Sequence, residues 1–373
     1  MLVEFASLLL LSVVMAHIIP AMLIRRLRSM DLAVPDPEPT PSLAPTPSLE
    51  PTPADKTPAD KTPAGGEDRY NPTPIDVVVT RIMLTRSKRL PPDLVDSILD
   101  FAEYWAHSTN AIYYNAEHRD HLRIVGSSQT ENRFLIRSYP LGLTGIDGDK
   151  NLAEELAYDT NEAKPLPLTK EHEPRFFASL ADYPTPRLAR PARKVVFSIR
   201  AKDQGWAGSV HREAYEGSFT WFEAGLERFD ADQDCDAKCT YDVRHESLSS
   251  TAPSLSVCGL RPVYPSIQRD SPDQDYEYVH PLLPQDQFDI HRNKVATREW
   301  QDHVVTWSYL DDIQPDSEAG KALEAQGRGR ATGDGSFVNR LRFGDVITVW
   351  GKARFPAWVN NIEFVKIDVY WAV

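Results

Sequence analysis

The sequence predicts a mainly β protein whose C-terminal region, residues 130–373, folds as an antiparallel β-sandwich of jelly-roll type. Three observations carry that reading. Val195, Phe197 and Ile199 alternate with Val196, Ser198 and Arg200, the period of two that a half-buried strand requires. Near the end, Val365, Ile367, Val369, Trp371 and Val373 share one side of a run, while Lys366, Asp368 and Tyr370 take the other. Similar runs around Val305–Tyr309 and Val346–Trp350 are separated by polar or glycine-bearing turns, with no helical pattern between them that would build βαβ units.

The chain begins very differently. From Leu2 to Ile24 it is apolar except at a few positions, and it ends on Arg25, Arg26 and Arg28. As a helix this run reaches about 34 Å, enough for a hydrocarbon core of about 30 Å. Residues 1–30 are therefore expected to form a hydrophobic helix that anchors the chain in a membrane through residues 2–24. Cations after the run and none before it put the folded domain on the cytoplasmic side. Val14 and Ala16 also suit a signal-cleavage site, which would make the protein secreted, and a cytosolic chain is the remaining alternative.

Residues 31–74 repeat PTPSL and TPADK units with almost no large apolar side chain. Such text cannot bury enough surface to offset its ordering entropy and favours extended polyproline II, so it is expected to be a disordered spacer reaching up to roughly 90 Å.

The first folding signal is "RLPPDLVDSILDFAEYWAHS". Paired prolines prepare a helix start, Asp93 suits the first turn, and Leu94, Val95, Ile98, Leu99, Ala102 and Trp105 recur at helical spacing. "LPPDLVDSILDFAEYW" resembles the opening of an F-box. That resemblance implies a helical segment over residues 85–125, with Leu90, Pro91, Leu94, Val95, Ile98 and Leu99 forming the surface for an adaptor subunit of a cullin-RING ubiquitin ligase. Together with "ENRFLIRSYPLGL", "DQGW", "GSFTWFE" and "GDVITVWGKARFPAWVNNIE", the same opening resembles an uncharacterised family of fungal proteins with an F-box-like helix before a β-rich domain. The resemblance implies an architecture and supplies no catalytic residue.

Composition narrows the partners. A net charge of −13 is wrong for a phosphate-backbone ligand, so nucleic acid is not expected. Cys235, Cys239 and Cys258 are an odd set without a second ligand pair, which reads as reduced thiols instead of a zinc site. The acids Asp230, Asp232, Asp234 and Asp236 start like a calcium loop, but Cys235 and Tyr241 stand where glycine and a bidentate glutamate belong. Glu117, His118 and His121 have the wrong order and spacing for a helical zinc motif, and "GRGRATGDGS" from Gly327 lacks the lysine and the frame of a phosphate loop, which makes it a flexible turn. No metal, cofactor or catalytic motif is expected. Residues 230–289 show little periodicity and are expected to be a disordered insertion.

What remains is a binding surface. "KDQGWAG" follows one strand and "ARFPAWVNN" follows another, so Asp203, Gln204, Trp206, Trp358 and Asn360 are expected to meet at one end of the sandwich. An acid, amides and flat rings suit a sugar, whose hydroxyls take hydrogen bonds and whose apolar face takes an aromatic ring; the same residues also serve turns and cores. The sequence thus supports a non-enzymatic protein-interaction module, an F-box-like adaptor tethered at a membrane, with a carbohydrate- or small-ligand-binding domain as the alternative.

Overall fold

A computed structural model describes residues 71–114, 120–142, 188–206, 214–229, 240–241, 255–256, 260–268, 270–271 and 276–373. The expected anchor, most of the spacer and all three cysteines lie outside the described residues. Two helices lead the chain, α1 (Pro74–Ser87) and α2 (Pro92–Phe101). Strands follow: β1 (Ala106–Tyr113), β2 (Leu122–Val125), β3 (Asn132–Arg137), β4 (Ala192–Lys202), β5 (Thr220–Phe229), β6 (Thr240–Tyr241), β7 (Leu255–Ser256), β8 (Leu260–Tyr264), β9 (Ser266–Gln268), β10 (Glu277–Val279), β11 (Asp289–Arg292) and β12 (Gln301–Ser308). Helix α3 (Glu318–Ala325), a 3-10 turn (Arg330–Gly333) and helix α4 (Ser336–Arg340) precede β13 (Val346–Ala353) and β14 (Val359–Trp371).

The fold is mainly β, built from antiparallel sheets. One five-stranded sheet has the order β1-β14-β4-β12, with β2 on the first part of β14; a second runs β11-β5-β13-β3, with β8 on the last part of β5; β9 with β10 and β6 with β7 form two-stranded pairs. Alternation decides which side chains go inward. On β4, Val195, Phe197, Ile199 and Ala201 are buried, and Val365, Ile367, Val369 and Trp371 of β14 join them in one apolar cluster. From the second sheet Phe222, Ala224, Ile347 and Val349 enter the same cluster. At Gly351 the sheets approach closely: a Cβ there would lie 2.6 Å from Ile124 Cδ1 and 2.9 Å from Ile362 Cδ1, both on the opposite sheet.

Helix α1 went unnoticed in the sequence because its apolar residues, Val77, Val78 and Val79 among them, and its polar ones, Asp76, Thr80, Arg81 and Thr85, are mixed around the circumference, so no one-sided period appears. Its signals were local. Thr73 accepts from the Asp76 amide while the Asp76 carboxylate accepts from the Thr73 amide, and Pro74 occupies the first turn. Helix α2 is present but shorter than its pattern, and the rest of the segment expected to be helical over 85–125 contains β1 and β2 instead. The polar text of β1 becomes a strand because it pairs along β14 from Ala106↔Trp371 to Tyr113↔Phe364.

The F-box-like surface is split by this packing. Val95 and Leu99 turn inward with Val77 and Leu84 and are 0% and 5% exposed, Leu90, Leu94 and Ile98 are half-buried, and Pro91 is exposed. Arg193 of β4 then clamps the end of α2 by donating to both carboxylate oxygens of Asp100, at 2.9 and 3.1 Å.

The expected insertion is also partly ordered. Of residues 230–289, β8 extends the second sheet along β5, β9 pairs with β10, and Asp289 opens β11 with full burial. Periodicity missed these strands because each is only a few residues long, too short for an alternation to register. The glycine-rich turn is equally fixed: Gly329 N–H donates to Asp289 O at 2.9 Å and Ala331 N–H to Asp286 O at 3.2 Å.

Gly225 offers a direct test of this packing. A Cβ there would sit 2.6 Å from the Tyr264 carbonyl, part of the backbone of β8, and 2.2 Å from Thr348 Oγ1. Gly225→Ala is expected to lower stability by about 1–3 kcal/mol, read as a lower urea midpoint at unchanged slope.

Candidate functional site

Strand β4 ends at Lys202, and the loop Asp203–Trp206 runs against the start of β14. Gln204 Oε1 accepts from the Val359 amide at 3.2 Å, and Asn361 Nδ2 donates to the Asp203 carbonyl at 2.9 Å. The two expected loops therefore do meet. Most of their functional atoms are used internally, however. The Asp203 carboxylate, 1% exposed, accepts from the amides of Gly205 and Ala296, and burial pushes its pKa up. Gln204 Nε2 donates to the Trp206 carbonyl at 2.8 Å. Asn360 is fully buried and ties the two sheets together: its amide donates to the carbonyls of Trp221 and Lys352 and its oxygen accepts from Asn293. Trp358 is half-buried, edge-on to Phe219 at 5.3 Å. Trp206 alone of the set is presented to solvent, at 57%.

A denser polar cluster lies on the other face of the second sheet. Along β5, Phe222, Ala224 and Leu226 enter the core, so Trp221, Glu223 and Glu227 point away from it. On β13, Trp350 and Lys352 do the same, beside Glu223 and Trp221 in the register. Lys352 Nζ lies 2.5 Å from Glu223 Oε2 with both side chains at 0% exposure, off the line of a straight hydrogen bond. Trp221 Nε1 donates to Glu223 Oε1 at 2.8 Å and Tyr264 Oη to Oε2 at 3.0 Å. Opposite Glu223 in the ladder sits Asp289, also fully buried, which accepts from Arg292 Nε at 2.8 Å. Glu227 takes a two-point contact from Arg137, at 2.5 and 2.8 Å. Arg354 stacks 5.2 Å over Trp221 and donates to Asn132 and to the Pro281 carbonyl. Tyr278 and His280 close the layer edge-on to Trp350, at 4.9 and 4.8 Å.

Burial sets the electrostatics here. It pushes the Asp289 carboxyl up to about 7, in spite of Arg292, and pushes the Lys352 ammonium down in spite of Glu223. His280 falls to about 3, first through burial and then through Lys352 and Arg354. Tyr264 and Tyr278 are raised by burial and by the carboxylates Glu223 and Glu227. The cluster's donors and acceptors are largely spent on one another; the buried exceptions are Asp289 Oδ1, His280 Nδ1 and Lys352 Nζ, the last ion-paired with Glu223 but not hydrogen-bonded. A second buried pair bridges the sheets, where His291 of β11 stacks on His303 of β12 at 4.1 Å. Burial lowers them to about 4 and about 3.

Elsewhere, a cavity of about 30 Å³ between α1, α2 and the Val373 end has room for little more than a water. His121, from the region thought to be a solvated helix end, is instead part-buried against Asn361 and Trp300; Glu117 and His118 lie outside the described residues. Among the described residues no group of three or more His, Cys, Asp or Glu is placed to hold a metal. The acids from Asp230 to Asp236 lie outside them.

The sequence reading missed Glu223, Lys352, Tyr264 and Asp289. A signal existed for the first two: "TWFEAGLE" and "VITVWGKA" each insert a charge into a central-strand pattern apolar on both faces, and a buried charge needs a buried partner. With the geometry in hand, comparison with known proteins adds no name: the chain matches no family model and is similar to no curated protein and no solved structure.

Two outcomes follow from the buried charges. Lys352→Met strands the Glu223 carboxylate and is expected to cost about 3–5 kcal/mol, most of it regained in Lys352→Met/Glu223→Gln; urea denaturation of the four species in a double-mutant cycle measures it. The histidines give an acid dependence. His280, His291 and His303 have folded values below 6.5, so the unfolded chain binds more protons and stability falls as pH drops from about 6.5 toward 4. The raised Asp289 acts in the opposite sense, holding its proton in the folded state between about 4 and 7. Asp289→Asn is thus expected to steepen the loss between pH 7 and pH 5, and His303→Phe to flatten it, in denaturation curves taken at each pH.

Proposed function

We propose that the protein is a non-enzymatic interaction module, held beside a membrane by residues 2–24, in which the β-domain supports a docking face on α1. One observation carries this reading. Ile75, Val79, Ile82 and Met83 are 48%, 48%, 44% and 46% exposed along one side of α1, while Val77 and Leu84 on its other side are buried. Four large apolar side chains left uncovered on one side of a helix whose other side is packed mark an interaction surface.

The strand order supports reading the domain as a jelly-roll sandwich. Along the chain, strands β1, β4, β12 and β14 are interleaved with β3, β5, β11 and β13 of the other sheet, with β5 and β11 following one another in that sheet, and the first strand lies beside the last. The F-box-like resemblance fits this module in its plan of helices before a β-domain. Because α2 spends Val95 and Leu99 on its own core, the packing favours recruitment through α1 over the binding of a cullin-ligase adaptor by α2. A sugar or small-ligand role is the second reading, supported by the exposed Trp206; a glycan array read with wild type and Trp206→Ala tests it.

For the first reading, a photo-crosslinking phenylalanine analogue at Val79 of the full chain is expected to form adducts in cells. The same group at Val304, 68% exposed on the edge strand β12, serves as the control. Adduct yield at position 79 no higher than at position 304 refutes the docking face.

A further inference from the structure

The bare side of α1 has a direction. Ile75, Val79 and Ile82 lie one above another at helical spacing, Met83 flanks them, and Arg86 continues the line one turn on. Lys88 and Arg89 follow at the end of the helix, and all three cations are exposed. From Pro74 to Arg89 the acid is Asp76, held in the capping box at the opposite end, and Arg81 is paired with Asp96 at 2.9 Å. In a chain of net charge −13 this is a local cationic tip on an apolar stripe.

Charge selects the occupant. A second copy would bring the same cations to the contact, and a purely apolar groove would leave Arg86, Lys88 and Arg89 without acids. The boundary of an anionic bilayer satisfies both parts, because acyl chains take the stripe and headgroup phosphates take the cations. Resting on the interaction reading above, we propose that α1 lies in the interface of an anionic membrane, with Ile75, Val79, Ile82 and Met83 against the acyl boundary and Arg86, Lys88 and Arg89 on lipid phosphates. A 14-residue helix covers about 21 Å of such a surface and binds it weakly and reversibly by itself. It would thus orient a domain already brought to the membrane.

The test places the same photo-crosslinker at Val79 of the full chain, now mixed with phosphatidylcholine vesicles with or without phosphatidylserine. The readout belongs to position 79, so it separates α1 from any binding by residues 2–24. Lipid adducts are expected with phosphatidylserine, reduced by about tenfold or more in its absence, in high salt, or in Arg86→Glu/Lys88→Glu/Arg89→Glu. Equal yield with neutral vesicles, or a crosslinked pair of chains in place of lipid, overturns the anionic-membrane assignment. Protein adducts in cells with no lipid adduct on vesicles overturn it too while leaving the interaction reading intact, whereas the absence of any adduct in either setting removes both.

Discussion

Strands β5 and β13 are the centre of the second sheet, and what lets them be buried on both faces is the ion pair between Glu223 and Lys352. Neither charge reaches water, so each is tolerable only because the other is there and because Trp221 and Tyr264 satisfy the remaining carboxylate lone pairs. The consequences spread outward. Tyr264 donates to Glu223, which helps hold β8 on β5, and Asp289, held by Arg292, pairs opposite Glu223 where β11 takes the other part of the same edge. Hydrophobic residues of the same volume would pack this layer at less desolvation cost, whereas removing one partner alone leaves the other charge buried and uncompensated.

A different logic governs the helical layer. One side of α1 and the inward side of α2 close the base of the first sheet, helped by Arg193 on Asp100 and by Arg81, which reaches both Asp96 and the Val373 carbonyl. Through these contacts the orientation of α1 is rigidly coupled to the β-domain. A ligand that grips the outer side of the helix thereby sets the attitude of the whole domain.

The legible parts of the sequence were those where burial is one-sided. Val365 to Val373 announced β14, and Val195 to Ile199 announced β4, because water on one face imposes the alternation. Helix α1 and strand β8 carry no such contrast, since neighbours cover or leave bare their positions without regard to polarity. The loops of Asp203 and Asn360 pack together through Gln204 on Val359 and Asn361 on Asp203, and both named side chains are buried; a short polar side chain beside a strand end looks the same in sequence whether it faces solvent or bridges two sheets. Trp206, with its ring outside, was the exception. The Glu223 cluster needed the pairing of distant strands, which no local pattern encodes.

The neighbourhood of β14 has a consequence for how the protein comes into being. That strand is the shared partner of β1, β2 and β4, so the first sheet has its middle supplied last during synthesis. Until residues 359–371 leave the ribosome, β1 and β4 each present an open edge and an apolar face with nothing between them. Contacts spanning most of the domain must then close in one step, the condition under which folding is slow and topology sets the pace. Loss of residues 359–371 would therefore take out the shared partner of three strands and not an edge of the sheet.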